Sequence, residues 1–244
     1  MIKTISNSIE KRICRRFGDK TRLLALIGSG NTDDFDQLSD LDYLLILDRF
    51  SAGDLQFIAS IRDNVTKKYK IPIDIKPYTT AEFKVSKKYP IGILHAWMQQ
   101  MILDGNISII YQNKIKFARE KADKQLNTII PMNYFIDKMR KYLSLEKVHL
   151  RGKLKTPDIE DTFKVLSSCC FCIAKFFLFY KGIMAFSRSE IIGGMKKIRG
   201  DHRMLTILNN MRTSKKYHLS NKMKNEILYF SESLYLSVLK DVDK

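Results

Sequence analysis

The sequence predicts an α+β chain in two parts: a small mixed sheet with flanking helices, followed by an all-α helical bundle. Three observations lead there. In the first half, short apolar runs bounded by turn residues alternate with helical periods. Beyond a polar stretch from about 116 to 131, only helical periods recur. The chain is 244 residues long, 45% hydrophobic and 28% charged, long enough for two modest cores and too apolar for wholesale disorder. The boundary therefore falls between 118 and 132, and the expected domains are 1–118 and 119–244.

Each element follows from its local pattern. Ile5, Ile9, Ile13 and Phe17 recur at spacing four and define one face of a helix over 5–17. Residues 23–27 are an apolar run closed by Gly28-Ser29-Gly30, which predicts a buried strand ending in a turn. After a polar loop over 31–39, residues 41–47 form a strand apolar enough to lie in the centre of its sheet. A helix over 54–69 and a strand over 71–75 follow. A helix over 90–104 should stop near Gly105, and a short strand should end at Tyr111. In the second half, helices are expected over 133–150, 158–182, 188–199, 201–212 and 220–240. Asp158 is placed to cap the second of these, with Pro157 before it and Asp161 at the third position, and Gly182 is placed to stop it. No internal repeat or low-complexity segment interrupts the pattern.

The charge is unusual. Lys and Arg number 43 against 26 Asp and Glu, a formal net charge of +17. Residues 1–118 carry 18 basic and 13 acidic side chains, a net +5, while residues 119–244 carry 25 and 13, a net +12. A field of that sign attracts nucleotides, nucleic acid and anionic surfaces and repels polycations. The four cysteines form no disulfide framework, since Cys169, Cys170 and Cys172 share one apolar segment and Cys14 stands alone. Reduced thiols, the absence of a signal-peptide layout after Met1-Ile2-Lys3, and an apolar stretch over 167–180 too short to span a bilayer all predict a cytoplasmic protein without a membrane partner.

The chemistry concentrates around Gly28-Ser29, a ten-residue spacer, and Asp40-Leu41-Asp42 at the start of a strand. Side chains at i and i+2 of a strand face the same way, so Asp40 and Asp42 project together, about 6–7 Å apart along the strand. Two such carboxylates repel unless a cation intervenes, and Mg²⁺ meets that need, taking one or two carboxylates and drawing further ligands from phosphates. Asp74, between Ile73 and Ile75, is expensive to bury without a partner. A strand at 71–75 lying beside 41–47 would make it the third acid of a cluster able to hold two metal ions. Gly28 lets the backbone approach phosphate oxygens, and Ser29 offers its hydroxyl and N–H to them.

In these residues the chain resembles the DNA polymerase β-type nucleotidyltransferase superfamily: Ile27-Gly28-Ser29, then Asp40-Leu41-Asp42, then Ile73-Asp74-Ile75. The resemblance spans about residues 10–118. It implies a small mixed sheet with packed helices, two Mg²⁺ ions on Asp40, Asp42 and Asp74, and transfer of a nucleoside monophosphate, AMP, from ATP to an acceptor hydroxyl with release of pyrophosphate. The helical remainder is similar in architecture to the bundle of the aminoglycoside adenylyltransferases and of HEPN-like proteins, which makes it the acceptor-binding part. Similar enzymes use a lysine on the first helix of that bundle to reach the outer phosphates. Of Lys138, Arg140, Lys141 and Lys147 on helix 133–150, Lys147 is the candidate nucleotide-binding residue. The sequence departs from the pattern after Gly-Ser, where relatives carry a basic residue and this chain has Asp33, Asp34 and Asp36.

The +12 half is a poor host for a polycationic aminoglycoside and suits a tRNA or other RNA, or an acidic protein, as acceptor. A small antibiotic-type acceptor of little charge is the alternative, and a non-catalytic RNA- or protein-binding scaffold is the alternative to catalysis. Oligomeric state is not legible. The cysteine-rich stretch lacks partners for a metal site and reads as buried core. The Arg and His spacings do not match a HEPN ribonuclease. Lys196, Lys197 and Arg199, near His202 and Arg203, form a basic run that suits either RNA phosphates or a solvated helix end.

Overall fold

A computed structural model describes residues 1–85, 107–113, 126–144, 148–150, 153–155 and 157–242. The chain divides into two compact units, Met1–Ala122 and Asp123–Lys244.

The first unit opens with α1 (Ile2–Phe17), which leads through Gly18 into β1 (Thr21–Ile27). A short 3₁₀ turn over Gly28–Asn31 precedes β2 (Leu41–Leu47), and α2 (Ala52–Tyr69) crosses over to β3 (Ile73–Thr79). A short α3 (Thr80–Val85) follows, and β4 (Ser108–Gln112) closes the sheet. The order is β3-β2-β1-β4, with β2 and β3 parallel and β1 antiparallel to both its neighbours. The parallel pair needs a crossover, and α2 supplies it. Ser51 and Asp54 form a capping box at the start of α2.

One face of this sheet is the core. Ile5, Ile9 and Ile13 of α1 are fully buried and meet Ile58, Ile61 and Val65 of α2 over Leu24, Leu26, Leu41, Tyr43, Leu45, Ile73 and Ile75. Each buried Leu or Ile contributes roughly 1.5–3 kcal/mol. The spacing-four isoleucines therefore lie where their period predicts. Tyr43 keeps its hydroxyl satisfied inside the core through Ser6 at 3.0 Å. Leu44 and Ile46, on the other face of β2, are equally buried, which agrees with a central strand. The helix expected over 90–104 lies outside the described residues.

The second unit contains α4 (Leu126–Leu143), two short strands β5 (Val148–Leu150) and β6 (Lys153–Lys155), α5 (Ile159–Tyr180), α6 (Arg188–Arg199), α7 (Arg203–Ser214) and α8 (Asn221–Val242). One expectation fails here. The helix anticipated over 133–150 instead begins before Pro131, ends at Leu143, and gives way to an antiparallel strand pair. Pro131 removes one helical hydrogen bond at a cost of about 3 kcal/mol, and burial of Thr128, Met132, Ile136 and Met139 on the inner face offsets it. Only Arg151 and Gly152 separate the two strands, a spacing typical of tight hairpins that the helical period obscured.

The core of this unit is α5. Phe163, Leu166, Cys170, Ile173 and Phe177 are buried on one side and Phe171, Leu178 and Phe179 on the other, so its apolar residues surround the helix instead of lying on one stripe. Its start is capped by Asp158, which accepts from the Asp161 N–H at 2.7 Å. At its end Gly182 adopts φ 83°, the Gly182 N–H reaches the Phe179 carbonyl, and the Ile183 N–H reaches that of Leu178. That is a Schellman stop, as the glycine predicted. At 22 residues α5 is longer than the apolar stretch read from sequence and is long and apolar enough to cross a membrane; 72% of its most apolar window is buried inside the unit. Burial pushes the Cys169 and Cys170 thiols up to about 12, which keeps them neutral core groups.

Candidate active site

The site is built on the face of the sheet opposite α1 and α2. Parallel pairing sets Leu41 beside Ile73, Asp42 beside Asp74 and Tyr43 beside Ile75. The isoleucines flanking Asp74 turn into the core, each 5% exposed, so alternation turns Asp42 and Asp74 together to the other side. Asp74 thereby escapes the burial cost anticipated for an acid between isoleucines, since its side chain is 48% exposed. Asp40 lies just ahead of β2, and its charge acts on Asp42.

The Gly-Ser turn closes against the same carboxylate. Ile27 pairs with Asp42 across β1 and β2, so Gly28 leaves the sheet directly beside it. Gly28 has φ 71°, and a Cβ there would lie 3.1 Å from Asp42 Oδ2. The left-handed backbone favours glycine, and any Cβ would press on the carboxylate as well. A Cβ on Gly30 would lie 2.6 Å from a Leu41 methyl, which seats the turn on the strand. The Ser29 carbonyl accepts from the Thr32 N–H at 3.2 Å and from its hydroxyl at 3.3 Å. The acid-rich loop that follows is partly self-contained. Asp36 Oδ1 accepts from the Leu38 N–H at 2.9 Å and the Ser39 hydroxyl at 3.0 Å, an Asx-turn, and Asp33 is exposed.

The residue that sequence reasoning missed is Lys76. Its Nζ lies 2.8 Å from Asp42 Oδ1 and 3.4 Å from Asp74 Oδ2, a single ammonium between two carboxylates. The signal was present as Asp74-x-Lys76, an acid and a base on one face of one strand. Burial raises the Asp42 carboxyl above the usual carboxylate range; Lys76 opposes that rise, while Asp40 and Asp74 add to it. Burial works against the Lys76 charge, but Asp42 and Asp74 together outweigh it and hold the ammonium above its ordinary pKa.

Among the described residues, no three His, Cys, Asp or Glu side chains converge on one metal-sized point. The donor set of Asp42 and Asp74 nevertheless already grips a cation, which fits the chemistry of a divalent ion bound through one or two carboxylates. Lys147 lies outside the described residues, past the end of α4 in sequence. Lys138 is half-buried and Lys141 exposed on α4, while Arg140 is engaged with Glu232 of α8 at 2.9 Å. In α6, Lys196 and Lys197 are exposed, and the Arg199 guanidinium stands over the Phe177 ring at 5.9 Å.

No protein-family model and no curated protein matches the sequence. Among solved structures, the spectinomycin adenyltransferase AAD(9) from Enterococcus faecialis, crystallised with ATP and spectinomycin, is similar at 11% identity with a TM-score of 0.57 over 95% of this chain and 98% of that one. A nucleotidyltransferase-like protein from Exiguobacterium sibiricum aligns at 11% identity over 96% of this chain and 75% of that one, with a TM-score of 0.36, too low to carry weight. The chain thus has a nucleotidyltransferase-like α+β fold, shared along nearly its whole length with the spectinomycin adenyltransferase.

Proposed function

We propose that this protein transfers AMP from ATP to an acceptor hydroxyl and releases pyrophosphate. The observation that carries the proposal is the register that sets Asp42 opposite Asp74, with the Gly28 backbone against the Asp42 carboxylate. On a nucleotidyltransferase-like fold, this supports a triphosphate lying along the Gly28-Ser29 turn beside the acids. Asp42 and Asp74 would hold Mg²⁺, with Asp40 adjoining, and the ion would draw charge from the phosphate oxygens. Two facing acids support one such ion where the sequence suggested two.

In the reaction, the acceptor oxygen bonds to the α-phosphorus as the bond from that phosphorus to the oxygen bridging to the β-phosphate breaks. Pyrophosphate leaves with that electron pair. Asp74, half-exposed on the same face, takes the hydroxyl proton or orients the group that does. Gly28 and Ser29 hold the leaving phosphates, and we retain Lys147 as a candidate for the outer ones.

The net +12 of residues 119–244 supports an RNA or an acidic protein as acceptor. A second reading, a small antibiotic-type acceptor, draws on the similarity to the spectinomycin adenyltransferase across both units. Incubation with labelled ATP, Mg²⁺ and, in separate reactions, total RNA, an acidic protein fraction or spectinomycin tests all of these. Label should move to one acceptor in step with pyrophosphate release. Asp42→Asn should abolish both, by about a hundredfold or more, while the protein stays folded. Full transfer by that variant would overturn the site.

A further inference from the structure

The ammonium of Lys76 occupies the space between Asp42 and Asp74 that a bound metal ion would need. We propose that Lys76 is a built-in cation of this site, and that a divalent ion can bind Asp42 and Asp74 only by displacing it. The inference rests on the metal-dependent reading above and adds a residue that the motif does not contain.

Charge and position argue for it together. Asp42 is only 24% exposed, has Asp74 opposite it and feels the charge of Asp40, so without a countercharge it would be partly buried among like charges. Repulsion of that kind destabilises a folded protein or leaves a carboxyl protonated. Lys76 relieves it from within: it is two residues beyond Asp74 on β3, so the same alternation that presents the acid presents the base. The Lys76 side chain is 29% exposed and Asp74 48%, so solvent reaches the cluster and the flexible lysine stem can carry the ammonium aside. Two cations cannot share the same two carboxylate oxygens at contact distance, so metal and ammonium compete. The metal-free site is thereby partly neutralised and kept preformed, at the expense of metal affinity.

The experiment is Mn²⁺ binding to the full-length protein, followed by the paramagnetic signal of the free ion, with melting temperature measured in parallel with and without Mn²⁺. Lys76→Met removes the charge while keeping the length of the side chain. It should bind Mn²⁺ on the order of tenfold more tightly than wild type, the size of one partly buried ion pair. It should also melt lower than wild type without metal and gain more from Mn²⁺. Lys76→Arg keeps the charge and can grip both carboxylates at once, so it should bind Mn²⁺ more weakly than wild type. A merely structural lysine would not send the two variants in opposite directions. Equal or weaker binding by Lys76→Met, or tighter binding by Lys76→Arg, overturns the inference. Should Lys76→Met fail to fold, the Lys76→Arg comparison decides alone. Mn²⁺ binding that Asp42→Asn leaves unchanged would instead overturn the metal site itself, and so separates failure of the underlying reading from failure of this one.

Discussion

The two units carry their charge in opposite ways. In the first, Asp42, Asp74 and Lys76 are drawn together on one face of a sheet, the ammonium 2.8 and 3.4 Å from the two carboxylates. In the second, most of the basic excess is spread over helix surfaces, as at Lys196 and Lys197, while the interior around α5 is mainly apolar with neutral thiols, the buried Arg212 beside Ser168 being a charged exception. Surface charges in water interact weakly and cost little to keep, whereas clustered, half-buried ones are costly unless each has a partner. The contrast teaches that net charge says little about where charged side chains cluster. The more neutral unit holds the clustered charges, and the strongly basic unit carries most of its charge in solvent.

The sharpest way to break this comparison is at Asp74. Asp74→Asn should slow single-turnover transfer by about a hundredfold or more while ATP affinity falls only a few-fold, because Gly28 and Ser29 still hold the phosphates. Rate and affinity measured side by side decide it; equal losses in both would place Asp74 in binding alone.

A middle-sized effect comes from two glycines with nearly the same backbone. Gly28 in the first unit has φ 71° and Gly200 in the second has φ 67°, but a Cβ on Gly28 would meet Asp42 Oδ2 at 3.1 Å and one on Gly200 would meet nothing within 4 Å. Gly200→Ala should therefore cost about 1 kcal/mol, the left-handed backbone alone. Gly28→Ala should cost about 2–3 kcal/mol and should impair nucleotide binding as well. Urea melts of both variants check the difference, and equal costs would mean that the Asp42 carboxylate readily moves aside.

The smallest effect is expected at the basic run of α6. If the acceptor is RNA, neutralising Lys196, Lys197 and Arg199 together should weaken binding and flatten its logarithmic salt slope by about 2, at about 0.7 per lost phosphate contact on a single strand. ATP affinity should not change. A small neutral acceptor would show almost no salt dependence in either protein, and a polycationic one would bind better once those charges are gone.

Much of this architecture is legible in the residues. The span 41–47 predicted from its apolar run coincides with β2, and 188–199 coincides with α6, because both carry strong periods and clear ends. Asp158 and Gly182 marked the limits of α5 through their own side-chain and backbone chemistry. The strands β5 and β6 were not legible, since three-residue strands have too little period to outweigh a helical neighbourhood.

By itself, the sequence determined the local periods, the turn at Gly28-Ser29-Gly30, and the alternation that puts Leu41 and Tyr43 on one face and Asp42 on the other, since covalent geometry sets which residues share a face. Tertiary structure alone decided that Asp42 would face Asp74 and that Lys76 would bridge them. Strand register depends on how Ile73, Ile75, Tyr43 and Leu45 pack beneath α1 and α2, and those partners lie tens of residues apart in the chain. A shift of one residue would have turned Asp74 into the core and Ile75 out. The long-range packing of apolar side chains thus fixed the pairing of Asp42 with Asp74 and Lys76, which no local spacing contains.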